Sequence, residues 1–207
     1  MSQKVEFREL KRKDKKELRR LLKEQEGYEE FFENTKDAET YAKMMVEQYL
    51  GTCAYKKVAA VGERIVGAVI GSRKKNSSFL TSLKKRFCYI RLNMRKKNKE
   101  VLNCLSRLEQ MEQELLREEK IEDENFIALF LIEKRYERTQ IQEILLREWE
   151  GRGKERKKSC SYIVINGKIT PRFFEEHFFL KRGEASVMIQ PKEQRFRFYK
   201  ALYRKNG

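Results

Sequence analysis

The sequence has 207 residues, with 48 lysines and arginines against 32 aspartates and glutamates, so its formal net charge at pH 7 is +16. Leu, Ile, Val and Phe still make up about a quarter of the chain, above the fifth or so below which a highly charged chain stays unfolded. These numbers exclude a disordered protein, and no apolar run approaches the roughly 18 residues that a membrane-spanning helix needs. The charged N-terminus lacks the apolar core of a signal peptide. We therefore expect a cytoplasmic protein with a single domain, residues 1–207.

Histidine and cysteine are too sparse for most metal sites. His177 is the only histidine, which excludes mechanisms that need two imidazoles, including HExxH zinc chemistry. The four cysteines are widely spaced and form no CxxC pair. We therefore predict no metal site.

The first third of the chain predicts a strand, two helices and a hairpin. Residues 5–10 alternate apolar and charged side chains, as a half-exposed strand does. Two amphipathic helices follow, one beginning near Asp14 and one covering about 37–51 until Gly51 ends it. Residues 53–73 predict two strands joined by a short turn, in which Gly62 can take positive φ.

Residues 74–124 predict a charged helical insertion. Apolar residues recur at three- and four-residue spacing from Val101 to Leu116, the pattern of an amphipathic helix. The stretch 84–99 holds eight cations and no acid, whereas 109–124 is rich in Glu. We interpret Phe87, Ile90 and Met94 as the inner stripe of a helix whose cations are answered by the acidic segment. The alternative is that the cations follow a nucleic-acid backbone while the aromatic residues stack on bases.

The second half predicts a parallel step followed by closing strands. The continuous apolar run Phe126–Ile132 is typical of a strand buried on both faces. The remaining predicted elements are a helix from about Thr139 to Gly151, a strand at 161–165, a short helix from Pro171 containing Phe173, Phe174, Phe178 and Phe179, and strands near 184–189 and 195–203. The order predicts an α+β fold: a mixed, mostly antiparallel sheet with one parallel βαβ step, flanked by helices.

This order, together with the segments FIALFLIEKRYERTQIQEILL and FFEEHFFLKRGE, resembles the GNAT superfamily of acetyl-CoA-dependent N-acetyltransferases. The resemblance covers nearly the whole chain, and similar bacterial members carry a helical insertion at the same place. It implies acetyl transfer from acetyl-CoA to an amine, which the sequence does not identify. It also implies that coenzyme A contacts the end of the fourth strand and the start of the next helix; these positions are Leu131, Ile132, Glu133, Arg138, Thr139, Gln140, Ile141 and Gln142.

The loop that would hold the pyrophosphate departs from the family pattern R/Q-x-x-G-x-G/A. Free N–H groups at a helix N-terminus attract an anion, and glycine lets a phosphate approach the backbone. Here the basic position falls on Glu137, and the glycine positions fall on Gln140 and Gln142. We expect these two side chains to crowd the phosphates, while Arg138 partly restores positive charge.

The positions of catalytic groups also differ. Where many members have a general base, this chain has Phe126, and where the family tyrosine protonates the leaving thiolate, it has Phe174. The glycine expected before the last aromatic residue of that segment is Phe178. Glu124 and Glu133 are the candidate substitute bases. We interpret His177 as a residue at the edge of the core.

Three hypotheses for the function follow. The first is an N-acetyltransferase that uses acetyl-CoA. The second is a catalytically inactive interaction module, or pseudoenzyme, that keeps the fold and binds a protein partner or a second copy of itself. The third, which the sequence favours least, is nucleic-acid binding through the basic insertion.

Overall fold

The computed structural model describes residues 4–73, 79–121, 126–151, 160–166, 171–189 and 196–206. The strands are β1 (Val5–Glu9), β2 (Cys53–Val61), β3 (Arg64–Arg73), β4 (Phe126–Ile132), β5 (Cys160–Asn166), β6 (Phe179–Ile189) and β7 (Phe196–Asn206). The α-helices are α1 (Lys15–Glu26), α2 (Tyr28–Phe31), α3 (Thr35–Thr52), α4 (Phe79–Asn93), α5 (Asn98–Glu118), α6 (Gln140–Gly151) and α7 (Pro171–Glu176). No described helix is long and apolar enough to cross a membrane.

The described strands form one sheet in the order β1-β2-β3-β4-β5-β7-β6. Neighbouring strands are antiparallel except for β4 and β5, which are parallel. The mixed α+β fold with one parallel βαβ step is therefore confirmed. The hairpin of β2 and β3 is confirmed too, with Gly62 in its turn at a φ of 62°.

Helices cover both faces of the sheet. On one face, α1, α3 and α5 pack over the side chains of Leu129 and Leu131 from β4. On the other face, α6 and α7 pack over Ile127, Phe130 and Ile132 of the same strand. A strand buried on both sides explains the uninterrupted apolar run in its sequence.

The described part of residues 74–124, the segment predicted to be an insertion, contains two helices that differ in which side is buried. The apolar stripe of α5 is buried, as the spacing predicts, and includes Val101, Leu102, Leu105, Leu108 and Leu116. The prediction for Phe87, Ile90 and Met94 of α4 and the turn after it is wrong, because all three are exposed. The buried side of α4 carries Leu92 instead, with Cys88 and Tyr89 partly buried beside it.

The cations of the insertion also find partners beyond the acidic segment. Lys85 pairs with Glu109 of α5 across 3.3 Å, as expected. Arg95, however, pairs with Asp37 of α3 across 2.8 Å. Lys97 pairs with Glu33, just before α3. The neutralisation within the insertion is therefore partial.

Some element boundaries differ from the sequence expectation. Helix α3 continues through Gly51 to Thr52, and the chain enters β2 directly afterwards. Helix α7 ends at Glu176, so Phe178 and Phe179 are not helical, and Phe179 begins β6.

Candidate active site

A cleft opens where β4 and β5 separate. The two parallel strands pair only at Phe126 with Tyr162 and at Ile127 with Ile163, and they then diverge towards their C-terminal ends. The resulting cleft has a volume of about 210 Å³. The described residues that line it lie in four places: Gln25 of α1; Phe130 and Ile132 of β4; Glu137, Arg138, Thr139, Gln142 and Glu143 of the loop and α6; and Arg172, Phe173, Glu176 and His177 in and after α7.

The edge of β4 that faces this cleft is occupied by a side chain from α1. The N–H of Ile132 donates to Gln25 Oε1 at 2.9 Å, and Gln25 Nε2 donates to the carbonyl oxygen of Phe130 at 3.3 Å. The side-chain amide of Gln25 thus satisfies the backbone groups that a closer β5 would have paired. The N–H of Glu133 is used in the sheet, since it donates to the carbonyl oxygen of Val66 at 2.8 Å. The side chain of Leu131 is fully buried on the α1 face.

The loop before α6 is closed by its own residues. Arg138 has a φ of 60°, in the left-handed region that glycine favours, and its N–H donates to Gln142 Oε1 at 2.6 Å. Thr139 Oγ1 donates to the carbonyl oxygen of Tyr136 at 2.7 Å and accepts a long hydrogen bond of 3.4 Å from the N–H of Ile141. The side chain of Ile141 packs into the core below the loop.

The two glutamines of the loop have different positions. Gln142 is buried and accepts a hydrogen bond from one of the backbone donors, and its expected contact with the phosphates stays a prediction. Gln140 is exposed and does not line the cleft, and its expected contact with the phosphates also stays a prediction. The difference follows from helix geometry, because residues two apart point to different sides of a helix.

Glu133, one of the two candidate bases, is a buried carboxylate held by three arginines. Arg64 Nε lies 2.8 Å and Arg20 Nη2 3.3 Å from Glu133 Oε2, and Arg135 pairs with the other oxygen. Burial alone would raise the pKa of Glu133, but the hydrogen bond and charge of Arg64, with the charges of the other two arginines, lower it below its usual value. A carboxylate with a lowered pKa is a weak base, and Glu133 does not line the cleft. Glu124, the other candidate, lies outside the described residues.

Aromatic rings fill the place of the expected proton donor. Phe174 is fully buried, with ring centroids 5.3 Å from Phe130, 5.1 Å from Phe173 and 5.5 Å from Phe179. Phe126, at the aligned base position, is also buried. Phe178, at the position where the family pattern expects glycine, has a φ of 65°, in the left-handed region that glycine favours.

His177 is the imidazole of the cleft, which sequence reasoning placed at the edge of the core. It is half-buried, and its ring centroid lies 4.3 Å from that of Phe173. Nδ1 lies 2.7 Å from the carbonyl oxygen of Phe173. A carbonyl oxygen only accepts, so Nδ1 carries the hydrogen, and Nε2 of the neutral ring keeps a lone pair for a proton.

Sequence reasoning missed Gln25 and Arg172. Gln25 lies more than 100 residues before the strand edge it binds, so no local pattern connects the two. Arg172 and Arg138 bring two cations to the cleft, beside the carboxylates of Glu137, Glu143 and Glu176. The net charge of +16 does not indicate which charged side chains lie together at the cleft.

Solved structures match the chain along its whole length. An acetyltransferase of the GNAT family from Staphylococcus aureus Mu50 is 15% identical, with a TM-score of 0.52, and the match covers 98% of this chain and 99% of that one. A GCN5-related N-acetyltransferase from Rhodopseudomonas palustris is 9% identical, with a TM-score of 0.54 and coverage of 100% and 99%. A protein from Pyrococcus horikoshii OT3 is 15% identical, with a TM-score of 0.61 and coverage of 99% of both chains.

The similarity is confined to structure. No family model matches the sequence. No curated protein sequence matches it either. The strand order, the separation of β4 and β5 and the full-length structural matches lead to one conclusion: this chain has the fold of the GNAT acetyltransferases.

Proposed function

We propose that the protein is an N-acetyltransferase that moves an acetyl group from acetyl-CoA to an amine, with the β4/β5 cleft as its donor site. One observation carries this proposal: two backbone N–H groups at the cleft, those of Ile132 and Arg138, are each bound to the side-chain oxygen of a glutamine. The fold shared with solved GNAT acetyltransferases supports it.

The donor chemistry of the cleft fits coenzyme A. Gln142 Oε1 is a neutral oxygen acceptor at a helix N-terminus, where a phosphate oxygen would also accept. A charged acceptor forms a hydrogen bond roughly twice as strong as a neutral one, so a phosphate can replace the glutamine oxygen. The N–H of Arg138 would then hold the pyrophosphate together with the guanidinium groups of Arg138 and Arg172. The N–H of Ile132 would hold the carbonyl oxygen of the thioester.

Acetyl-CoA would supply an activated acyl group, and this chain's own residues would orient the acceptor and take its proton. His177 Nε2 is the group we assign to accept the proton that the attacking amine loses. The rings of Phe130, Phe173 and Phe174 keep this part of the cleft apolar. Phe174 has no hydroxyl, so the thiolate would leave without a proton from that position.

Calorimetric titration of the protein with acetyl-CoA and with coenzyme A tests the proposal. We expect both to bind with dissociation constants between micromolar and millimolar, weakened by the displacement of two glutamines. A mass-spectrometric assay with a panel of polyamines, amino acids and lysine peptides then identifies the acceptor. A folded protein that binds neither ligand at millimolar concentration would contradict the proposal.

The second candidate function is a catalytically inactive interaction module. It is favoured by the combination of a buried phenylalanine at the acid position and a candidate base tied to three arginines. Failure of the titration in a folded protein would support this candidate.

A further inference from the structure

Helix α4 and the turn after it carry four exposed apolar side chains in one row. The exposed fractions are 53% for Leu83, 71% for Phe87, 53% for Ile90 and 81% for Met94. Their spacing is four, three and four residues, and the helical hydrogen bond from the N–H of Met94 to the carbonyl oxygen of Ile90 extends the row past the last helical residue. We call these four residues the α4 seam.

The α4 seam is held in a fixed orientation by the opposite side of the helix. Leu92 is 1% exposed, and Cys88 and Tyr89 pack partly buried against the core formed with α3 and α5. Lys85 on the same inner side pairs with Glu109 of α5. Since a helix turns by about 100° per residue, the four seam residues fall within about 60° of one another.

Such a narrow seam fits another helix better than a lipid surface. Apolar residues that alternate at three and four positions form the a and d contacts between two helices. Helices that lie on membranes bury a broad apolar face, which this row of four residues does not provide.

The charges beside the seam indicate what kind of helix fits. Arg86 and Arg91 are exposed and flank the seam on its two sides, at positions that correspond to g and e. Residues 84–99 contain no aspartate or glutamate. A second copy of this helix would bring arginine against arginine, whereas an acidic helix would pair with both flanks.

We propose that the α4 seam is a docking site for an acidic amphipathic helix of a partner protein, with apolar residues at a and d and carboxylates at the flanking positions. The site lies on the insertion, and the proposal is independent of whether the cleft transfers an acetyl group.

The test is fluorescence anisotropy of the full-length protein with a labelled synthetic helix of three heptads, with Leu at a and d and Glu at e and g. The matched peptide has Lys at e and g. We expect the Glu peptide to bind at least about tenfold more tightly than the Lys peptide, because two exposed arginines flank the seam. Phe87→Gln should weaken binding about tenfold, since it removes a central apolar anchor. Leu180→Gln on β6, also an exposed apolar residue, should leave binding unchanged.

Reversing the charges beside the seam should change which peptide binds more tightly, and loss of folding cannot produce that result. The double variant Arg86→Glu, Arg91→Glu should prefer the Lys peptide, with circular dichroism showing the wild-type helix content. Equal binding of both peptides, or binding that survives Phe87→Gln, would overturn the proposal. It would also be overturned if neither peptide bound while anionic phosphatidylserine vesicles did, or if neither bound while the protein self-associated through Phe87.

Discussion

The β4/β5 cleft and the contact between α5 and β7 both bury polar groups of the chain against each other, but with different chemistry. In the cleft, backbone N–H groups meet the neutral oxygens of Gln25 and Gln142. Between α5 and β7, Lys200 Nζ meets Glu112 Oε2 at 2.5 Å, and both residues are buried. A neutral hydrogen bond can be exchanged for a ligand's oxygen at little net cost, whereas a buried ion pair cannot lose one member cheaply. The glutamine contacts in the cleft therefore cost less to break than the ion pair between α5 and β7.

The pKa of Lys200 reflects its ion pair with Glu112. Burial alone would lower the pKa of Lys200, but the charge and hydrogen bond of Glu112, with the charges of Glu26 and Glu109, raise it well above its usual value. A pKa raised by folding stabilises the protein below the unfolded pKa, and this stabilisation is lost only as the pH rises through the folded pKa. The α5/β7 contact therefore keeps its strength across the neutral range.

The largest expected effect comes from breaking that ion pair. Lys200→Met removes one member of a buried ion pair and should lower the free energy of unfolding by about 3–5 kcal/mol, measured by urea denaturation at pH 7. The control is Lys205→Met, which removes a more accessible pair with Glu150 and should cost less than about 1 kcal/mol.

A double variant tests whether the loss of stability comes from the change in charge or from the change in packing. Lys200→Met with Glu112→Leu should recover most of the lost stability, because it removes both charges. If Lys200→Met and Lys205→Met lowered the free energy of unfolding equally, the buried ion pair would stabilise the protein no more than the accessible one does.

Removing the side chain of Gln142 should tighten the binding of coenzyme A in the cleft. Gln142→Ala frees the N–H of Arg138 and should tighten binding of coenzyme A about tenfold in calorimetry, because only Gln25 then has to be displaced. The same change should lower stability by about 1 kcal/mol, since the hydrogen bond from the N–H of Arg138 to the buried Gln142 side chain is lost. Gln140→Ala, two residues earlier and exposed, should change neither quantity. Weaker binding by Gln142→Ala would mean that Gln142 assists the ligand.

The sequence predicts those features of the fold that depend on the local pattern of apolar and charged residues. The order of elements, the buried strand β4 and the buried stripe of α5 follow from spacing alone. The seam of α4 has the same spacing as α5 but the opposite exposure, because which side of a helix is covered depends on neighbours distant in sequence. For the same reason the partners of Ile132 and Glu133, which come from α1 and β3, could not be predicted.

Glu133 makes a third kind of contact, because it forms ion pairs with arginines at the end of the sheet. Its pKa is lowered by folding, so its contribution to stability is present above the unfolded pKa and is lost as the pH falls through the folded pKa. Glu133→Gln should lower the free energy of unfolding by about 1 kcal/mol at pH 7, and by progressively less as the pH falls below about 4. Denaturation curves at several pH values measure this. Glu63→Gln, whose carboxylate is exposed, should leave the pH profile unchanged. A difference that is the same at every pH would mean that the charge of Glu133 contributes nothing.

The smallest expected effect is a gain of stability beside the cleft. Phe178 is 79% exposed, so its ring contributes little burial, yet its backbone has a φ of 65°. A residue with a Cβ is strained in this left-handed region, and glycine is not. Phe178→Gly should therefore raise the free energy of unfolding by up to about 1 kcal/mol, measured by thermal and urea denaturation. Leu180→Gly, at an exposed position with a strand backbone, should lower it by a similar amount, because glycine there only adds freedom to the unfolded chain. A loss of stability in both variants would show that the left-handed backbone of Phe178 carries no strain.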